Sequence, residues 1–134
     1  MIDIKNIDLN LYFNKINKWF KYHNKIDLNI KLLPQEKKYC LAVFVDDEIV
    51  ACTFIYTTNS LVWYCDFLIA DPFYRKENRE EVLMKLIDEA VESSLKNGAE
   101  AVWCTTPYDS VLNKLKKLNY SVADKKHYIV YKNK

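Results

Sequence analysis

The chain has 134 residues, half of them apolar and 14% aromatic, which is enough for one packed core and far from the composition of a disordered segment. Its 20 basic and 18 acidic residues are mixed along the sequence and leave a net charge of +2, so neither a nucleic acid nor an anionic membrane is indicated as a partner. No apolar run approaches the roughly 18 residues of a membrane span, and residues 1–10 lack the apolar core of a signal peptide, which predicts a cytoplasmic chain forming one domain over 1–134.

In chain order, Asp8 is placed to cap a helix whose apolar positions, Leu9, Tyr12, Phe13, Ile16, Trp19 and Phe20, recur at helical spacing. His23 continues that stripe and is read, like His127, as structural or exposed. A polar stretch follows, with a short helix predicted over Ile26–Leu33 and ended by Pro34. Tyr39–Val45 and Ile49–Thr57 are β-branched and aromatic runs around Asp46-Asp47-Glu48, the pattern of an antiparallel hairpin. Thr58-Asn59-Ser60 makes a second turn and Leu61–Ala70 a third strand, so the three form a meander.

After Asp71-Pro72 the period changes from two to 3.6. Val82, Leu83, Leu86, Ile87, Ala90, Val91 and Leu95 mark a helix from Arg79 to Asn97, stopped by Gly98, the one glycine of the chain. Ala99–Thr105 is a short strand, Ser110–Leu118 a short helix with Leu115 inward, and Tyr120–Ala123 with Tyr128–Lys132 a final strand pair. The class is α/β with a mixed sheet, and the strand–helix–strand unit over 61–105 is expected to be a crossover with parallel strands.

Cys40, Cys52, Cys65 and Cys104 all lie in apolar, β-like runs, with no C-x-x-C pair and no histidine at ligand spacing. They are expected to be reduced and buried, and no metal site is expected. Trp63 and Trp103 are expected in the core.

The order of elements, together with Pro72 and Arg75 between the third strand and the long helix, resembles the GNAT (GCN5-related N-acetyltransferase) fold. The family pattern is a hydrophobic strand ending near a proline, then Arg/Gln-x-x-Gly-x-Gly/Ala, then a leucine on the helix. Here Arg75 falls on the Arg/Gln position and Leu83 on the leucine, while Leu118-Asn119-Tyr120 replaces the family's Leu-Gly-Phe. The resemblance covers residues 39–132 and implies an N-acyltransferase that moves an acetyl group from acetyl-CoA, its cosubstrate, to a small-molecule or protein amine, acting as a monomer or homodimer.

What the resemblance implies for the site falls on three groups of residues. The pyrophosphate would lie against Arg75, Lys76, Glu77, Asn78, Arg79 and Glu80, where backbone N–H groups and the helix dipole suit an anion. Asn78 and Glu80 occupy the two glycine positions. Glu80, with Glu77 and Glu81, sets three acidic charges against the three basic ones, and as a capping acid it would compete for the same N–H groups. The backbone of Phe67, Leu68 and Ile69 would hold the thioester carbonyl.

For the chemistry, Asp66 is a lone carboxylate in an apolar strand, a base if it is desolvated; the competing reading is a solvent-facing or structurally hydrogen-bonded carboxylate. The family's acid tyrosine falls on Leu115; Tyr108 is the candidate substitute acid, and the competing reading is a turn aromatic packing on the surface. The alternative function, suggested by Asn78, Glu80 and Leu115, is a catalytically inactive binding or regulatory module of the same fold.

Overall fold

A computed structural model describes residues 1–105, 109–123 and 132. It contains β1 (Ile2–Asn6), α1 (Leu9–Asn24), β2 (Cys40–Val45), β3 (Glu48–Tyr56), β4 (Val62–Ala70), α2 (Arg79–Lys96), β5 (Ala101–Cys104) and α3 (Asp109–Lys117), with 3-10 turns at Ile30–Leu32 and Lys37–Tyr39. The strands form one five-stranded sheet in the order β1-β2-β3-β4-β5. Neighbours are antiparallel except β4 and β5, which are parallel, as the crossover through α2 requires.

The local chemistry explains most boundaries. Asp8 accepts from the Asn10 N–H at 3.0 Å and starts α1, and Lys25 ends it in the left-handed region (φ 63). Asp46 and Asp47, at φ 49 and 67, turn β2 into β3 through the two-residue hairpin that right-handed strand twist favours. Gly98, at φ +129, lets the chain leave α2 beneath the Trp63 ring, which lies 3.7 Å from where a Cβ would stand.

The two helices cover opposite faces of the sheet. Leu9, Ile16 and Trp19 of α1 pack with Cys40, Ala42, Phe44, Phe54 and Ile69. Val82, Leu86, Ile87 and Ala90 of α2 pack with Leu41, Val43, Ile55 and Cys65. Alternate residues of β2 and β3 therefore enter different cores, which is why both strands read as unbroken apolar runs.

Several expectations are corrected. β1 was not among the predicted elements; its signal is only the alternation of Ile2 and Ile4 with Asp3 and Lys5. The predicted helix over 26–33 contracts to the turn Ile30–Leu32, capped by Asn29. Residues 120–123 carry no regular secondary structure, and 128–131 and His127 lie outside the described residues. Trp103 is 60% exposed, edge-on to Tyr64, because both rings project from a part of the sheet that α1 leaves uncovered. Cys40, Cys52 and Cys65 are buried free thiols, whereas Cys104 is half-buried. Burial pushes the Cys40 thiol up to about 11 and the Cys52 thiol higher still, so both stay protonated and inert near neutrality.

Candidate functional site

β4 is irregular at the residues to which the resemblance points. Cys52 pairs with Ile69 and Phe54 with Asp66, so two steps along β3 match three along β4, and Phe67 is pushed to φ 56. The extra residue reverses the alternation of faces. Cys65, Leu68 and Ala70 lie on the α2 side, while Phe67 and Ile69 lie on the α1 side, where Phe67 packs between Phe20 and Tyr56. Thr53, buried opposite the bulge, donates from Oγ1 to the Asp66 carbonyl at 3.1 Å and helps hold it.

Beyond the bulge the sheet forks. The parallel pairing of β4 with β5 ends at Cys65 and Cys104, whereas β4 continues to Ala70 against β3. Asp71 donates its N–H to Val50 on β3, and Ile69 pairs with Cys52. By the alternation of an extended strand, the backbone groups of Leu68 and Ala70 face the other way, into the fork. The Ala70 carbonyl meets Nε2 of His23, at 3.1 Å, which ties the end of α1 to the mouth of the fork.

The turn from β4 into α2 is built by its own side chains. The Asp71 carboxylate accepts from the Phe73 N–H at 2.9 Å, and Pro72 is buried. Arg79 reaches back from α2, its Nη1 donating to the carbonyls of Asp71 at 2.8 Å and Tyr74 at 2.6 Å. The Tyr74 hydroxyl donates to Oδ1 of Asn78 at 2.6 Å, so the Asn78 side chain does not cap the helix. Asn78 sits at φ −83, an ordinary angle, so the backbone does not require glycine there.

Glu80 is where the structure departs most usefully from expectation. Its carboxylate pairs with Lys114 of α3 and does not turn back onto the first-turn amides. Glu81 pairs with Lys85 one turn further on, at 3.2 Å. The anticipated competition between a capping acid and a bound anion is therefore removed by α3. Among the described residues the first turn of α2 has no side-chain cap, and Arg75, Lys76 and Glu77 are exposed around it. The donor set suits an anion in charge, although Asn78 and Glu80 place a Cβ where glycine would allow closer approach.

Asp66 is exposed, and Oδ1 accepts from the Phe67 N–H at 2.7 Å, with Thr105 Oγ1 at 3.5 Å. The desolvation expected of a strand carboxylate is missing because its face is the one α1 leaves open. Tyr108 lies outside the described residues. Leu115 is buried against the α2 core, and its carbonyl accepts from the Tyr120 N–H at 3.1 Å. Tyr120 is half-buried and donates its hydroxyl to Asp88 at 2.9 Å.

Sequence reasoning passed over Thr53, Tyr56, Thr105 and Lys114, and read His23 only as structural or exposed. Thr53 alone carried a signal, as the hydroxyl in an otherwise apolar run; the others are recruited by tertiary packing.

No protein-family model matches the chain, and no curated protein matches it in sequence. Solved structures match it in fold. An aminoglycoside acetyltransferase from an uncultured soil metagenomic sample is 14% identical with a TM-score of 0.71, over 99% of this chain and 97% of that one. A ribosomal-protein-alanine N-acetyltransferase from Brucella melitensis biovar Abortus 2308 is 15% identical with a TM-score of 0.67, over 99% and 100%. A GNAT-family acetyltransferase from Streptococcus pneumoniae TIGR4 is 15% identical with a TM-score of 0.64, over all of both chains. The chain has the GNAT fold, which bears out the mixed α/β architecture and the resemblance of fold. Among the described residues no helix is long and apolar enough to cross a membrane.

Proposed function

We propose that this chain is an N-acyltransferase that moves an acetyl group from acetyl-CoA to an amine of a small molecule or a protein. The observation that carries the proposal is the combination of fork and turn: β4 parts from β5 at a bulge, directly before a helix whose first-turn amides are left without a side-chain cap. In this reading the pyrophosphate lies on the first turn of α2 beside Arg75 and Lys76, with Arg79 holding the turn in shape. The Leu68 N–H faces the thioester carbonyl in the fork and stabilises the charge that builds on it.

The reaction forms a nitrogen–carbon bond and breaks a carbon–sulfur bond. The proton that the amine sheds leaves through water, which the exposed Asp66 carboxylate at the fork orients. Tyr108 is assigned the proton for the departing thiolate on sequence position alone. The acceptor enters on the α1 side, along the wall made by Phe20, Phe67 and Tyr56.

A second reading, a binding module without turnover, is favoured by the buried Leu115 at the family's tyrosine position. The two are separated by melting with acetyl-CoA, followed by assay of thiol release with a panel of amines. Acetyl-CoA at 100 times its dissociation constant adds about 2.7 kcal/mol of stability, a shift of several degrees. Arg75→Ala should weaken that shift; Asp66→Asn should slow turnover and leave the shift intact. A melting shift with thiol release supports the enzyme; no shift at millimolar acetyl-CoA overturns it and favours the binding module.

A further inference from the structure

β1 closes one side of the sheet, and among the described residues nothing pairs with its outer edge. The backbone direction of each of its residues follows from the contacts that flank it. The Met1 carbonyl accepts from Asp46 and the Ile7 N–H donates to Cys40, both toward the β2 side. By alternation Asp3 and Lys5 also point their backbone groups at β2, and Ile2, Ile4 and Asn6 point theirs outward. The side chains alternate across the sheet in the same way. Ile2 and Ile4 pack against the α2 core, and Asp3 and Lys5 are exposed on the opposite face, opposite Phe44 and Ala42 of β2.

We infer that this edge is self-complementary and that two copies of the chain join their sheets through antiparallel pairing of β1 with β1 about a two-fold axis at Ile4. Only outward-facing residues can exchange backbone hydrogen bonds, so the axis must pass through a register that sets even positions against even ones. Three such registers overlap substantially. Pairing Ile2 with the second copy's Ile4 sets Asp3 against Asp3, and pairing Ile4 with the second copy's Asn6 sets Lys5 against Lys5. Both place like charges directly opposite, which is destabilising. In the third, Ile4 meets Ile4, Ile2 meets Asn6, and Asp3 faces Lys5 at both ends.

That register also carries the apolar contact. The two Ile4 side chains meet beside the α2 cores and extend them across the axis. Charged residues on an edge strand ordinarily discourage pairing. Here their order makes them discourage every pairing except one, so the same two residues act as a barrier to unspecific association and as a key for the matching copy. In the single chain Asp3 and Lys5 lie 4.0 Å apart, both well exposed, and the Lys5 ammonium rests over the Phe44 ring at 4.3 Å, so neither is committed to a buried partner.

The test is the mass of the full chain in solution by sedimentation, from about 10 μM to about 1 mM, which brackets a weak interface. The wild type is expected to move toward twice the chain mass as concentration rises. Asp3→Lys alone and Lys5→Asp alone should each stay monomeric, since each sets like charges across the axis. An equimolar mixture of those two variants should regain the dimer, because every acidic residue then faces a basic one.

Hydrogen exchange supplies a second readout. The amides of Ile2, Ile4 and Asn6 should slow with rising concentration, and those of Asp3 and Lys5, already directed at β2, should not. Circular dichroism confirms that each variant is folded. A wild type that stays monomeric to 1 mM overturns the inference. So does a dimer that both single variants leave intact, or a mixture that does not recover it.

Discussion

The pair between Glu80 and Lys114 gives a quantitative handle on the proposed anion site. Both side chains are substantially exposed, at 50% and 41%, so the pair contributes between nothing and about 1 kcal/mol to stability. Its effect on a bound anion should be of comparable size and can be read separately from folding. A carboxylate one helical turn, about 5.4 Å, from a unit negative charge in water interacts with it by about 0.8 kcal/mol. Physiological salt halves this to about 0.4 kcal/mol, and a diphosphate carrying about two charges restores about 0.8 kcal/mol, or roughly fourfold in affinity. Lys114→Ala should therefore weaken acetyl-CoA about fourfold at physiological salt and about tenfold at low salt. Glu80→Ala should tighten it by a similar factor, and the double variant should return close to wild type. Titration calorimetry of the four proteins at two ionic strengths measures the cycle. If Lys114→Ala leaves the affinity unchanged at low salt, the anion does not lie at the first turn of α2.

Two further predictions concern the scaffold. Gly98→Ala forces an L side chain to φ +129 and should cost about 1–3 kcal/mol, read as a lower urea midpoint at an unchanged slope; the space at Trp63 permits the methyl, so the cost is one of backbone strain. Stability should also fall on the alkaline side. Burial holds the Cys40 thiol up at about 11, and Tyr56 and Tyr120 are raised by burial as well, Tyr120 also by its bond to Asp88. As pH rises past the ordinary thiol range, the unfolded chain releases its proton and the native chain keeps its own. The native state then binds more protons, so the urea midpoint should drop between about pH 9 and about pH 11; a flat profile would contradict the burial of Cys40.

Much of the fold is legible because its long elements have a clear period. The stripe from Leu9 to Phe20, the hairpin around Asp46-Asp47 and the run from Val82 to Leu95 each state their type unaided. The failures have a common physical cause. β1 is a short, polar edge strand half of whose faces look at solvent, so its alternation is two isoleucines long. Trp103 is expected inside because tryptophan usually packs, but among the described residues no helix covers the sheet where it emerges. The bulge at Phe67 cannot be read from β4, since an extra residue is defined only by the partner strand that lacks it. The same holds for Glu80. Its chemistry at a helix start reads as a cap, and only the position of Lys114, 34 residues away on α3, turns it aside.

The fork has a consequence for what can enter it. Where β4 outlives its pairing with β5, the protein presents a strand edge in its interior, with the N–H groups of Leu68 and Ala70 about 6.6 Å apart along it. A compact ligand can satisfy only one of them. A long, narrow ligand carrying carbonyl groups at peptide-like intervals can satisfy both, lying alongside β4 as a missing strand would. In the proposed reading the site would select for shape before any side chain is consulted, and substitutions along β4 that preserve the backbone should alter this selection very little.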